Sequence, residues 1–141
     1  MDIKHKKTRE KVIQYWMEKA HEALESAKSE EQSGRLSFSI NRAYYGCFYS
    51  ASAVLMCLDK KFRKHSGVRA AVHGSLVKRG MLDVSMGRFY DLAFKSRQRA
   101  DYQELVEFSS EEAREIISNS EEFVTNMEIL LKKISQEGDT T

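Results

Sequence analysis

The stretch Ser37-Phe38-Ser39-Ile40-Asn41-Arg42-Ala43-Tyr44-Tyr45-Gly46-Cys47-Phe48-Tyr49-Ser50-Ala51-Ser52-Ala53-Val54-Leu55-Met56-Cys57-Leu58 decides the fold. It is too long for a strand and contains no proline. Its apolar residues cover nearly every direction of a helical projection, which marks a central helix buried by neighbours. Gly46, Ser50, Ala51 and Ser52 are small enough for another helix to approach closely. Four further helices fit around this one. Val12, Ile13, Trp16, Met17, Ala20, Leu24 and Ala27 recur at helical spacing and predict a first helix from about Thr8 to Gln32, with Gly34 as its stop. A third helix is expected over about Ser66–Lys78, ended by Gly80, and a fourth over about Ser85–Arg99. Ser109 with Glu112 three residues on is a capping box, and opens a fifth helix whose stripe runs from Ala113 to Ile134.

The chain has no proline and only seven glycines in 141 residues, a poor supply of turns for an all-β fold. The expectation is all-α: an up-and-down bundle of four or five helices, forming one domain over residues 8–135, with a disordered tail at 136–141. No apolar run is long enough to cross a bilayer. The basic start Lys4-His5-Lys6-Lys7 has no apolar stretch behind it, so no secretory signal is read there and the protein is expected to be cytoplasmic. Cys47 and Cys57 lie ten apart on one helix, about 15 Å, which is beyond the roughly 7 Å a disulfide allows.

Charge is segregated along the chain. Residues 60–100 carry eleven Lys or Arg against Asp83 and Asp91, whereas residues 101–141 carry eleven acidic residues against three basic ones. If these segments fall on different faces, one side of the molecule suits RNA, a nucleotide or an acidic partner. If the two helices pack side by side, the charges neutralise locally.

Common catalytic and metal patterns are missing from the sequence. Glu18-Lys19-Ala20-His21 has the Glu-x-x-His spacing of di-metal bundles, but those need a second such motif, and His5, His65 and His73 have no Glu three residues before them. No metal or cofactor is therefore expected. No glycine-rich phosphate loop occurs, and nothing near His65 or His73 marks a nucleophile elbow. What remains is a set of arginines and tyrosines on apolar helices. Arg42, Tyr45 and Tyr49 share one face of the second helix, with Tyr44 and Phe48 on the next face. Arg97, Asp101 and Tyr102 close the fourth helix, with Arg97 and Asp101 spaced to pair if the helix runs that far. Arginine grips a phosphodiester bidentately, and tyrosine stacks on a base. The same groups could equally form a satisfied network that only fixes helix packing.

Three pieces of this sequence together resemble the HEPN domain, in its small stand-alone prokaryotic branch. They are Arg42-Ala43-Tyr44-Tyr45 with Phe48, Lys64-His65-Ser66-Gly67-Val68, and Arg97 through Ala100-Asp101-Tyr102. The resemblance spans about residues 10–133. It implies an all-α homodimer, often paired with a minimal nucleotidyltransferase as toxin and antitoxin, the toxins being metal-independent RNases. Their signature is an Arg, four to six residues, then a His. Arg97 matches the Arg and Gln98 a polar follower, but no His follows residue 73, and Asp101 and Tyr102 occupy that place. Histidine titrates near neutrality, whereas an unperturbed Asp ionises near pH 4, so Asp101 would serve as a base and poorly as an acid.

Three functions stay open. One is a nucleotide- or RNA-binding accessory module beside a nucleotidyltransferase partner. A second is a divergent RNase with Arg97, Asp101, Tyr102 and His65 as catalytic candidates. The third is a purely structural dimerisation module. Arg42, Tyr45 and Tyr49 are the ligand-binding candidates.

Overall fold

A computed structural model of the protein describes residues 3–139, and side chains over 3–137. Among the described residues, five α-helices are arranged in the order α1 (Ile3–Gln32), α2 (Leu36–Cys57), α3 (His65–Ala71), α4 (Val84–Tyr102) and α5 (Ser110–Asp139). A π-helical turn over Val72–Val77 continues α3. No strand occurs among the described residues, as the all-α expectation requires.

Helix α2 is the centre of the bundle and touches α1, α3, α4 and α5. Its buried residues include Ile40, Ala43, Tyr44, Cys47, Ala51, Val54 and Leu55. The stripe of α1 packs against it through Ile13, Met17, Ala20, Leu24 and Ala27. Gly46 sets how closely the two approach: a Cβ at that position would lie 2.8 Å from Leu24 Cδ2. The buried Ser39 hydroxyl donates to the Ala27 carbonyl at 2.8 Å and pins the same interface. The tight turn between α1 and α2 depends on Gly34 at φ +78°, beyond which the Arg35 amide donates to the Glu30 carbonyl at 2.9 Å.

Helix ends differ from the sequence expectation where local hydrogen bonds decide. In the predicted third helix, the Lys78 amide reaches back five residues to the His73 carbonyl at 2.8 Å, so the second half is π-helical. Helix α4 starts on Asp83, whose carboxylate accepts from the Ser85 amide at 3.1 Å, and it runs to Tyr102, three residues past Arg99. The capping box forms as read: the Glu112 amide donates to Ser109 Oγ at 3.0 Å, and the Ser109 amide to Glu112 Oε1 at 3.3 Å. Helix α5 continues to Asp139, so most of the segment expected as a disordered tail, 136–141, is helical; Thr140 and Thr141 lie outside the described residues.

Ion pairs join α1 and α5, each helix supplying both signs. Arg114 pairs with Glu31 at 2.8 Å, Lys28 with Glu121 at 3.2 Å, and His21 with Glu128 at 3.2 Å. Between residues 60–100 and 101–137, the ion pair that forms is Arg97 with Asp101. Lys60, Lys61, Arg63 and Lys64 have no ion-pair partner among the described residues, so the basic segment is not neutralised by the acidic one.

Candidate nucleic-acid interface

The first half of α2, the start of α3 and the end of α4 meet at one end of the bundle. Tyr44 is their hub. It is fully buried, and its ring lies edge-on to Phe94 at 6.0 Å. Its hydroxyl shares a 2.7 Å hydrogen bond with His65 Nδ1. Burial pushes the Tyr44 phenol up to about 12, so it remains protonated. His65 is stacked on Phe48 at 4.3 Å between ring centres. Burial lowers its pKa, and the Arg97 charge lowers it further, so the imidazole is neutral at pH 7.

Arg97 is buried, with its guanidinium carbon 5.0 Å from the Tyr44 ring centre, 5.8 Å from Phe94 and 6.0 Å from both Tyr45 and Tyr102. Burial works against its charge, but Tyr44, Tyr45 and Asp101 more than offset this and hold its pKa above the ordinary value. One nitrogen reaches Asp101 Oδ2 at 3.4 Å, made possible by the extra turn of α4. Its Nε is buried with no hydrogen-bond partner. A desolvated guanidinium N–H with nothing to donate to is costly and thus informative.

Asn41 links the two arginines. Its Nδ2 donates to both Asp101 oxygens at 3.0 Å, and its Oδ1 accepts from Arg42 Nε at 3.0 Å and from a terminal Arg42 nitrogen at 2.8 Å. Arg42 in turn lies 4.8 Å from the Tyr45 ring centre. Arg42 and Arg97 therefore converge on one tyrosine, which sequence spacing left open. A cluster of two guanidinia beside one ring, with an orienting carboxylate, has the chemistry to hold a phosphodiester and a flat base.

The other candidates fall around this centre. Tyr102 sits at the rim, 75% exposed. Tyr49 belongs to a neighbouring wall: it stacks on Trp16 at 5.4 Å and meets the cluster through Tyr45 at 5.5 Å. His65 and His73, eight apart, do not share a site. His73 Nε2 and Arg69 Nε bind Asp91 Oδ1 at 2.9 and 2.8 Å. Burial pushes the Asp91 carboxyl up, but these two partners outweigh it and hold the group below its usual range. Asn41 and Tyr44 are the residues whose roles spacing did not reveal. Both stand inside the quoted motif, but Asn41 meets Asp101 across sixty residues of chain. No group of three or more His, Cys, Asp or Glu able to hold a metal occurs among the described residues.

The model of the HEPN domain family matches residues 13–130, and the chain belongs to that family. Among individual relatives, a Thermotoga maritima protein named as a UPF0332 protein is 39% identical over 128 residues, covering 91% of this chain and 97% of its own length. Two Methanocaldococcus jannaschii proteins are also similar. "Putative toxin MJ0142" is 31% identical over 144 residues, covering 100% of this chain and 95% of its own length. "Putative toxin MJ0605" is 33% identical over 122 residues, covering 86% and 90%. No helix among the described residues is long and apolar enough to span a membrane.

Proposed function

We propose that this HEPN protein binds a nucleic-acid phosphodiester at the Arg42–Arg97 cluster and works as the effector half of a toxin-type pair. The partner in this reading is a nucleotidyltransferase, and the working form is a homodimer that sets two clusters side by side. The observation that carries the reading is Arg97, a guanidinium 5.0 Å from the Tyr44 ring centre whose buried Nε has no hydrogen-bond partner. A purely structural network would satisfy it. The unneutralised cations of residues 60–64 support the reading by adding a positive approach. The names of the two archaeal relatives support an effector role.

Fluorescence anisotropy with a labelled single-stranded RNA tests this. Binding should weaken about tenfold or more in Arg97→Met. The slope of log K against log salt should shrink by about 0.7 for each phosphate the variant no longer neutralises. Equal affinity of wild type and Arg97→Met would defeat the reading. Light scattering of the pure protein checks the dimer.

The 2.7 Å bond from Tyr44 to a neutral His65 favours a second reading, metal-independent RNA cleavage. A neutral imidazole accepts the proton of an attacking 2′-hydroxyl as the bond from the 2′-oxygen to phosphorus forms, the bond from phosphorus to the 5′-oxygen breaks, and the departing 5′-oxygen takes a proton from water, leaving a 2′,3′-cyclic phosphate; Arg97 stabilises the negative charge on the non-bridging oxygens, and Asp101 and Tyr102 orient the strand. Incubation with total RNA in EDTA decides it: cleavage should be lost in His65→Ala and in Arg97→Met. An inert, well-folded protein would leave binding as the function.

A further inference from the structure

A cavity of about 410 Å³ adjoins the arginine cluster and shares Tyr45, Phe48 and His65 with it. Its size is that of a small-molecule site. One wall is the stacked pair Trp16 and Tyr49, their planes 29° apart. Another is Phe62, which is 41% exposed. Gly67 leaves room for that ring, because a Cβ there would lie 2.9 Å from Phe62 Cδ1. This gives a physical reason for the glycine in Lys64-His65-Ser66-Gly67-Val68. Lys60, Lys61 and Arg63 line the cavity as well, and no acidic side chain does. None of these three cations has an ion-pair partner among the described residues. The Ser52 hydroxyl already donates to the Phe48 carbonyl at 2.8 Å.

Rings inside and unmatched cations beside them select a flat aromatic group that carries negative charge. An apolar helix, by contrast, would leave all three cations unmatched. We propose that this cavity is a nucleobase subsite: one base stacks on its rings while the attached phosphate meets Lys60, Lys61 and Arg63. The occupant is a nucleobase with its phosphate, either as a free nucleotide or within a single strand. The proposal rests on reading the adjacent arginines as a phosphodiester site, and adds where the neighbouring base goes.

Trp16 is the sole tryptophan, so its emission reports directly on the cavity. The full chain is titrated with adenosine 5′-monophosphate, a five-nucleotide oligoadenylate and ribose 5-phosphate. The first two should quench Trp16 saturably, and ribose 5-phosphate should not. Phe62→Ala should weaken both nucleotides about tenfold. Lys61→Ala with Arg63→Ala should weaken them and flatten the salt dependence. These side chains are exposed, and thermal melts will confirm that the variants fold.

Equal quenching by ribose 5-phosphate and the mononucleotide would overturn the base subsite and leave a simple anion site. Oligoadenylate binding that depends on Arg97 without any Trp16 response would overturn the cavity proposal alone. Trp16 quenching together with oligoadenylate affinity unchanged in Arg97→Met would uphold the cavity and remove the phosphodiester reading beneath it. A Trp16 change that follows protein concentration without ligand would assign the cavity to a second copy of the chain, against the proposal.

Discussion

Replacing Arg97 by Met separates a binding site from a structural keystone. Three contributions to stability change. The ion pair to Asp101 spans 3.4 Å at i,i+4 and is worth about 0.5 kcal/mol. Packing on the Tyr44 and Phe94 rings contributes about 1 kcal/mol. Against these stands the buried Nε donor without a partner, whose desolvation costs about 1–3 kcal/mol. Met keeps most of the volume and removes that cost. Asp101 is not stranded, because Asn41 still donates to both of its oxygens. The balance lies between about 0.5 kcal/mol lost and about 1.5 kcal/mol gained. At roughly 3–4 °C per kcal/mol for a chain of this size, Tm moves by about 6 °C or less. RNA affinity should fall at least about tenfold in the same variant. Differential scanning fluorimetry and anisotropy read both quantities. A Tm loss beyond about 10 °C with RNA affinity intact would refute the reasoning, because Arg97 would then hold the fold and not a ligand.

Tyr44→Phe removes only the hydroxyl bonded to His65 and should cost about 1 kcal/mol, read as a Tm lowered by some 3–4 °C; an unchanged Tm would mean that the bond contributes nothing. His65 has a folded pKa below its unfolded value, so the unfolded chain binds the extra proton first and stability declines as pH falls below about 6.5. In Arg97→Met the His65 pKa should rise and that decline should lessen, followed by NMR titration of the imidazole; a lower pKa would contradict the charge argument. Asp91 is held below its usual range, against burial, by Arg69 and His73, so its contribution is present above about pH 4 and lost as pH falls through the lowered value. Acid unfolding of Asp91→Asn should show a shallower dependence below pH 4. Ser109→Ala breaks the capping box and should destabilise by about 1 kcal/mol in urea denaturation; no change would show that Glu112 alone secures the end of α5.

The helices were legible because each carries an apolar stripe, and α2 was legible as central because its stripe has no opposite face. Their limits were less so. Ala100 continues the apolar stripe by one residue, but Asp101 and Tyr102 do not, so the periodicity gives little sign that α4 runs on to Tyr102. Yet that extra turn brings Asp101 under Arg97. Residue types and the i,i+4 spacing suggested the Arg97–Asp101 pair, which local geometry can deliver. The bridge through Asn41 depends on how α2 packs against α4 and has no local signature. The same holds for the partition of the histidines: His65 joins Tyr44 and His73 joins Asp91 only because α3 and the turn after it lie across both helices.

That π-helical turn carries a consequence for how the chain tolerates changes in length. A π segment holds one more residue than an α-helix between the same two anchors. Here the anchors are the buried Val72 and Leu76, and between them Gly74 is exposed with no atom within 4 Å of where a Cβ would stand. Removing Gly74 shortens the loop of hydrogen bonds from five residues to four and lets α3 run on as ordinary helix to the turn at Gly80. Elsewhere in these helices a single deletion would rotate every later side chain by about 100° and take its stripe off the core. Within the helices, Gly74 is thus a position whose loss should cost little, and a melting curve of the Gly74 deletion against a deletion of Ala53 in α2 would measure the difference.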